Sequence, residues 1–333
     1  GTHGRSIWIL DDLTPIRTHA SAIAAKPVHL YPVPAATQWH YRSGHGRENA
    51  GPNPPRGVTF SYWLKSKPTG PVSLQVLDGR GTVIRTLSSE PEPRIGASEY
   101  EVLESEPRGA LAADSGMRRA TWDFAHRGAD RIRNGKIDSG DPSQGPQAVP
   151  GTYSLRMIVG RDTATATAEV RPDPRDGTSQ ADREAQLAFA LEVRDQISRV
   201  TGLVERLRQL QAQLGARADA LGARADAAEL VAAARSARAR ARALEAKLHN
   251  PDAEITYDIL AQQGGARVYS RLSPLLNWAS DGTGAPTQGM REVYAEQRKE
   301  VDGVAAEIDA FVTQEIAALN VMAGRLGIGF VVP

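Results

Sequence analysis

From Val193 onward the apolar residues of this chain recur at three-then-four spacing. Val193, Ile197, Val200, Val204, Leu207 and Leu214 fall on one stripe, interrupted by Gln211. That period suits a helix and cannot be met by a strand. Leu203 and Leu210 widen the stripe beyond a two-stranded coiled-coil seam. Ser179-Gln180-Ala181-Asp182 supplies a capping-box-like start. The heptad L-G-A-R-A-D-A at Leu214–Ala220 repeats at once as Leu221–Ala227, and its glycines place a helix end or turn there. A second helix is expected from about Ala227 to Leu248. Its face is Leu230, Ala234, Ala237, Ala241, Leu244 and Leu248, small enough for close approach. Asn250-Pro251 introduces a helix over roughly Asp252–Ala279, and a Gly/Pro/Thr loop follows at Asp281–Thr287. A final helix runs to about Leu326 with Val301, Ala305, Ile308, Val312, Ile316, Leu319 and Ala323 on one face. Residues 178–327 are therefore expected to form an antiparallel helical bundle.

The front of the chain has a different period. Val58–Leu64 reads as a strand, and Val72, Leu74 and Val76 alternate toward one face. Asp78-Gly79-Arg80-Gly81 turns the chain into Thr82–Leu87, with Val83 and Leu87 expected on one face. Ala120–Phe124 is a further strand. Tyr153, Leu155, Met157 and Val159 alternate after Pro150-Gly151, and Thr163–Val170 puts Ala on one face and Thr on the other. Short strands with Gly/Asp turns predict a β-sandwich over 57–172, with a mobile Gly/Asp/Arg-rich insertion at 126–148. Residues 13–56 contain Pro15, Pro27, Pro32, Pro34, Pro52, Pro54 and Pro55, and are expected to form a linker in which Val28–Tyr31 is at most a short strand. Ser6–Leu10 reads as one strand with no partner before it, so its partners are expected from a missing N-terminal portion or a companion chain.

Two resemblances follow from these motifs. G-T-H-G-R-S-I-W-I-L-D-D-L, residues 1–13, resembles the closing strand of the last blade in bacterial secreted BNR/sortilin-like β-propeller proteins, often labelled glycosyl hydrolase. In that family a Pro-rich linker, a small β-sandwich and a helical region follow, and the order here is similar. The Asp-box S-x-D-x-G-x-x-W that marks the blades is absent from this chain. L-D-G-R-G-T-V-I-R-T-L and P-G-T-Y-S-L-R-M are similar to an Ig/fibronectin-like module. The resemblance implies a multidomain β plus α chain: a terminal propeller strand at 1–12, the linker at 13–56, the Ig-like sandwich and the helical bundle. It also implies an extracellular or periplasmic location.

Composition excludes several classes. A formal net charge of +1 gives no global attraction to nucleic acid or anionic membrane. With no cysteine there is no disulfide, thiolate nucleophile or thiolate metal site. No apolar run approaches the roughly 18–20 residues of a membrane span.

Residues that could carry chemistry are set in unpromising patterns. His3, His19, His29, His40 and His45 lack metal-ligand spacing and lie largely in a Pro-broken region, so they read as ordinary imidazoles. Asp11 and Asp12 are adjacent and face opposite sides of a strand, which suits a turn or interface role. Glu101, Glu104 and Glu106 lie in a loop without a nearby aromatic sugar platform, whereas glycosidases need two carboxyls flanking a cleft. Asn134–Asp141 lacks the residue order and distal Glu of a calcium loop and reads as a flexible hairpin tip. Arg235, Arg238, Arg240 and Arg242 lack interleaved aromatics and read as a solvated helix face. Gly44-His45-Gly46 and Gly282-Thr283-Gly284 do not extend to a phosphate-binding loop, and no G-x-S-x-G elbow occurs.

We therefore expect no catalytic residue, cofactor or metal in this chain, with ligand contact through Trp39, Tyr41 and Trp63. The expected function is that of a non-catalytic accessory region presenting a sandwich and a helical bundle to a polysaccharide or protein ligand. The alternatives are a glycoside hydrolase-related enzyme with its site mainly in the missing propeller, and a helical scaffold that oligomerises through its helices. Neither nucleic acid nor a membrane span is expected.

Overall fold

A computed structural model describes residues 10, 12–40, 53–90, 111–137, 139–253, 264–329 and 331. The architecture is mixed α plus β. The chain divides into two compact units, residues 1–93, 105–127 and 147–180 in one, and 94–104, 128–146 and 181–333 in the other.

The first unit holds two short helices, α1 (Thr14–Thr18) and α2 (Ser21–Ala24), and most of the strands. The strands are β1 (Val28–Leu30), β2 (Ala36–Gln38), β3 (Val58–Leu64), β4 (Val72–Leu77), β5 (Val83–Ser88), β6 (Gly116–Trp122), β7 (Ala125–Arg127), β8 (Gln144–Gln147), β9 (Gly151–Val159) and β10 (Asp162–Pro172), of which β8 falls mostly in the second unit. One sheet has the order β1-β3-β6 and another the order β2-β10-β9-β4-β5, while β7 and β8 form a two-stranded ribbon. The period-two pattern places Val58, Phe60, Tyr62 and Leu64 of β3 in the same core as Val72, Leu74 and Val76 of β4 and Tyr153, Leu155 and Met157 of β9. Trp122 is fully buried, edge-on to Tyr153 at 5.1 Å, and donates from Nε1 to Ala125 O at 2.8 Å.

Three expectations change here. The stretch read as a linker contributes a strand to each larger sheet: β1 runs antiparallel to β3, and β2 runs parallel to the end of β10. Pro32 and Pro34 lie between them, where the chain leaves one ladder and joins the other. In β5, Val83 points outward, and Ile84 and Leu87 point inward. A β-bulge at Val76/Leu77 shifts the register opposite this stretch. The strand expected at Ala120–Phe124 begins at Gly116 and ends at Trp122, because Phe124 takes a left-handed φ of 63°. The opening strand, apart from Leu10, lies outside the described residues.

The second unit contains α3 (Gln180–Leu221), a 3-10 turn (Ala225–Ala227), α4 (Ala228–Leu248), α5 (Val268–Asp281), α6 (Gln288–Phe311), a π-helical turn (Val312–Ile316) and α7 (Ala317–Arg325). The stripe residues named above for the first, second and last helices are buried, Leu203 only partly, and all but Leu203 and Ala305 belong to one shared core. The first copy of the repeated heptad completes α3, and the second forms the turn after Leu221. Arg208 meets Glu245, and the Arg238 guanidinium lies over Gly215, so α3 and α4 run antiparallel. Arg199–Asp302 and Arg206–Asp309 advance together by one heptad on both helices, so α3 and α6 run parallel. The helix expected over 252–279 is described from Val268, and 254–263 lie outside the described residues.

The insertion between β7 and β8 is tied down rather than loose. Asp130 N–H donates to Ser198 Oγ, and its carbonyl accepts from Thr201 Oγ1 at 2.8 Å. Ile132 is buried, and its N–H donates to Tyr269 Oη. Arg133 O accepts from Arg208 at 2.6 Å, Lys136 Nζ donates to Ala253 O at 2.7 Å, and Asp141 N–H donates to Asn277 Oδ1. The insertion expected to be mobile is therefore a strap: residues 130–133 bond to α3 and α5, and within the segment read as a hairpin tip Lys136 bonds to Ala253 and Asp141 to Asn277 of α5. Hydrogen-bonding demand explains the placement: its polar backbone takes partners from helix side chains that would otherwise face solvent or each other.

Candidate functional site

Trp39 follows β2 directly and stays 39% exposed. The Arg175 guanidinium carbon lies 5.7 Å from its ring centroid, within cation–π range. Asp173 holds that guanidinium in place. It is buried, accepts from Arg175 Nε and the Arg175 backbone N–H at 2.9 Å each, and accepts from His40 N–H at 3.0 Å. Arg175 also donates to His40 O at 3.1 Å. The Arg175 side-chain bonds, with the two backbone N–H bonds, hold the Asp173 carboxyl well below the usual carboxylate range despite its burial. His40 Nε2 lies 3.3 Å from Asp176 Oδ2, and Asp176 Oδ1 also accepts from Thr178 N–H and Oγ1. The result is a partly exposed indole beside a fixed cation, with the His40 imidazole tied to Asp176. It can stack on a planar or sugar-like face and donate hydrogen bonds. The Asp173 carboxyl is committed to four donors.

Tyr41 lies outside the described residues. Trp63 is an outward residue of β3, opposite His29 of β1. His19 covers it, with ring centroids 4.7 Å apart, and His19 Nδ1 lies 2.7 Å from Tyr31 Oη. His29 meets Tyr31 edge-on at 5.0 Å. Burial, aided by Lys26 and His19, lowers the His29 pKa. The structure thus places Trp39 beside the five-stranded sheet and Trp63 in the three-stranded one.

The other sequence candidates separate. Among the described histidines, His19, His29 and His40 serve ring stacking and hydrogen bonding, and His3 and His45 lie outside the described residues. Asp12 accepts from Thr14 N–H at the start of α1, and Asp11 lies outside the described residues, as do Glu101, Glu104 and Glu106. Arg240 and Arg242 pair with Glu307 and Asp252 on the helix surface. Among the described residues no group of three or more His, Asp or Glu side chains is placed to hold a metal ion.

The sequence reading missed a buried charge cluster in the second unit. Glu245 and His249 are almost wholly buried, one turn apart at the end of α4. Glu245 Oε1 accepts from Arg208 Nε at 2.8 Å and lies 2.9 Å from His249 Nε2, and Oε2 accepts from Gln211 Nε2 at 2.7 Å. Burial alone would raise the Glu245 pKa. The bonds from His249, Arg208 and Gln211 outweigh it and pull the value down to about 2. The signal was present: Gln211 interrupts the apolar stripe of α3, and Glu245 adjoins Leu244 on the apolar face of α4. A shallow groove of about 550 Å³ nearby is lined in part by Lys247, Arg267, Lys299, Glu296, Glu300 and Glu307. Its charges are of both signs, and Glu307 and Glu300 already pair with Lys247 and Arg271.

No family model matches this chain, and no curated protein matches it at a significant level. No helix among the described residues is long and apolar enough to cross a membrane.

Proposed function

We propose that this chain is a non-catalytic binding and scaffolding region of a secreted, extracellular or periplasmic protein. In this reading the first unit is an Ig-like β-sandwich and the second an antiparallel helical bundle. The opening strand closes a β-propeller supplied by the parent protein or a companion chain. The sandwich presents Trp39 to a polysaccharide or protein ligand.

One observation carries the reading. The best-placed ionisable groups are consumed by internal hydrogen bonds, Asp173 by Arg175 and His40, Glu245 by Arg208, Gln211 and His249, while Trp39 stays exposed under a fixed guanidinium. Groups already saturated in this way hold structure, and an exposed aromatic beside a positioned cation suits recognition. The strand that changes sheets across Pro32 and Pro34 supports the sandwich assignment.

The test is incubation of the purified chain with panels of glycans, esters and peptides. Ligand retention without product release is the expected result. Hydrolysis that disappears in Asp123→Ala would overturn the proposal and favour the hydrolase alternative. Asp123 is chosen because it lies at the β6–β7 corner, where it accepts from Ala125 N–H at 3.2 Å.

A further inference from the structure

The polar groups left open beside Trp39 are one donor and one acceptor. Arg175 spends Nε and Nη2 on Asp173, and Nη2 also on the His40 carbonyl, whereas Nη1 has no partner among the described residues. The Arg175 side chain is 65% exposed while that of Asp173 is buried, so the guanidinium turns its unused edge away from the carboxylate. The His40 side chain is 51% exposed. Its Nε2 lies 3.3 Å from Asp176 Oδ2. A carboxylate only accepts, so this contact assigns the hydrogen of the neutral ring to Nε2 and leaves a lone pair on Nδ1. No donor among the described residues meets that lone pair. The bond from Arg175 Nη2 to His40 O keeps the two side chains at adjoining points of the surface.

We infer that this donor–acceptor pair selects a neutral saccharide at Trp39, with Arg175 Nη1 and His40 Nδ1 as its polar contacts and Asp173 and Asp176 as positioning residues. The inference rests on the binding role proposed above and names the ligand of that same surface. A sugar hydroxyl accepts through its oxygen and donates its hydrogen, so one hydroxyl or an adjacent pair answers both Nη1 and Nδ1. The C–H face of the same ring covers the open part of the indole. A carboxylate, sulfate or phosphate group answers Nη1 but has no hydrogen for Nδ1. It would also meet the two carboxylates already fixed behind Arg175 and His40. A peptide offers both a donor and an acceptor, but its backbone has no rigid C–H face to lay on the indole. Neutral sugar therefore fits all three groups at once.

Retention of the 333-residue chain on immobilised neutral polymers (β-glucan, galactomannan, dextran), on polygalacturonate and on casein peptides tests this. Wild type should be held by at least one neutral polymer and pass the other two materials. His40→Lys replaces the acceptor with a cation at an exposed position. It should weaken retention on the neutral polymer roughly three- to tenfold, the worth of one hydrogen bond, and gain retention on polygalacturonate. Asp173→Asn combined with Arg175→Gln removes both charges together, so no buried carboxylate is stranded, and should weaken neutral retention by a similar factor. Its melting temperature reports whether it folds, and His40→Lys carries the test if it does not. Wild type held equally by neutral and acidic polymers, or a His40→Lys variant with unchanged preference, overturns the inference and leaves Trp39 as the binding surface. Retention on casein peptides alone also overturns it, and makes a protein the ligand. Release of sugar from any column would instead overturn the non-catalytic reading on which the inference rests.

Discussion

Arg208 on α3 donates from Nε to Glu245 Oε1 on α4 at 2.8 Å, inside an otherwise apolar helix interface. The two side chains fix which turn of α4 faces which turn of α3. Gln211 and His249 occupy the remaining sites on the carboxylate. Arg208→Ala would leave Glu245 buried with its main countercharge gone. A loss of about 3–5 kcal/mol in urea unfolding at neutral pH is expected. A loss below about 1 kcal/mol would show that the cluster opens to water.

The same carboxylate sets an acid response. Its pKa falls from 4.5 in the unfolded chain to about 2 in the folded one, so the unfolded state binds the proton first. The stability it contributes is complete above pH 4.5 and is lost as pH falls through about 2. Glu245→Gln should flatten this limb of the stability profile relative to wild type. Parallel wild-type and variant acid limbs would contradict the assignment.

Leu207 is fully buried on α3. Leu207→Ala should cost about 2–5 kcal/mol. Arg238→Ala, exposed with its guanidinium over Gly215, should change stability by less than about 0.5 kcal/mol. Denaturant titration of both separates the buried face from the solvated one, and comparable losses would mean that the faces are misassigned.

Gly140 tests whether the insertion is a strap. Its φ is +84°, and a Cβ there would come within 2.5–2.7 Å of Ser273 atoms on α5. Gly140→Ala should destabilise by about 1–3 kcal/mol. An unchanged melting temperature would mean that the insertion does not pack against α5.

Much of the fold was legible because periodicity is a local signal. The stripes of α3, α4 and α6 and the alternation of β3, β4 and β9 follow from side-chain burial alone. What the sequence hid depended on distant partners. The insertion looked loose because its Gly/Asp/Arg composition is polar, yet its backbone bonds go to Ser198, Thr201, Tyr269 and Asn277, far along the chain. Val28–Leu30 and Ala36–Gln38 looked like linker because three-residue strands carry almost no pattern, and their ladders close only on β3 and β10. Trp39 was legible as an exposed aromatic, but the Arg175 that covers it lies far along the chain and is fixed by Asp173. Glu245 was missed because a lone carboxylate among arginines resembles a solvated face until Gln211 and Arg208 are seen to converge on it.

Titration of the purified chain with an immobilised polysaccharide panel, wild type against Trp39→Ala, is the most direct test of a binding role. Trp278→Ala serves as control, because that indole is 60% exposed on α5 in the other unit. The expected result is retention by wild type and by Trp278→Ala, with at least a tenfold loss for Trp39→Ala, on the order of 1.4 kcal/mol. Equal retention of wild type and Trp39→Ala would contradict the assignment of the binding surface.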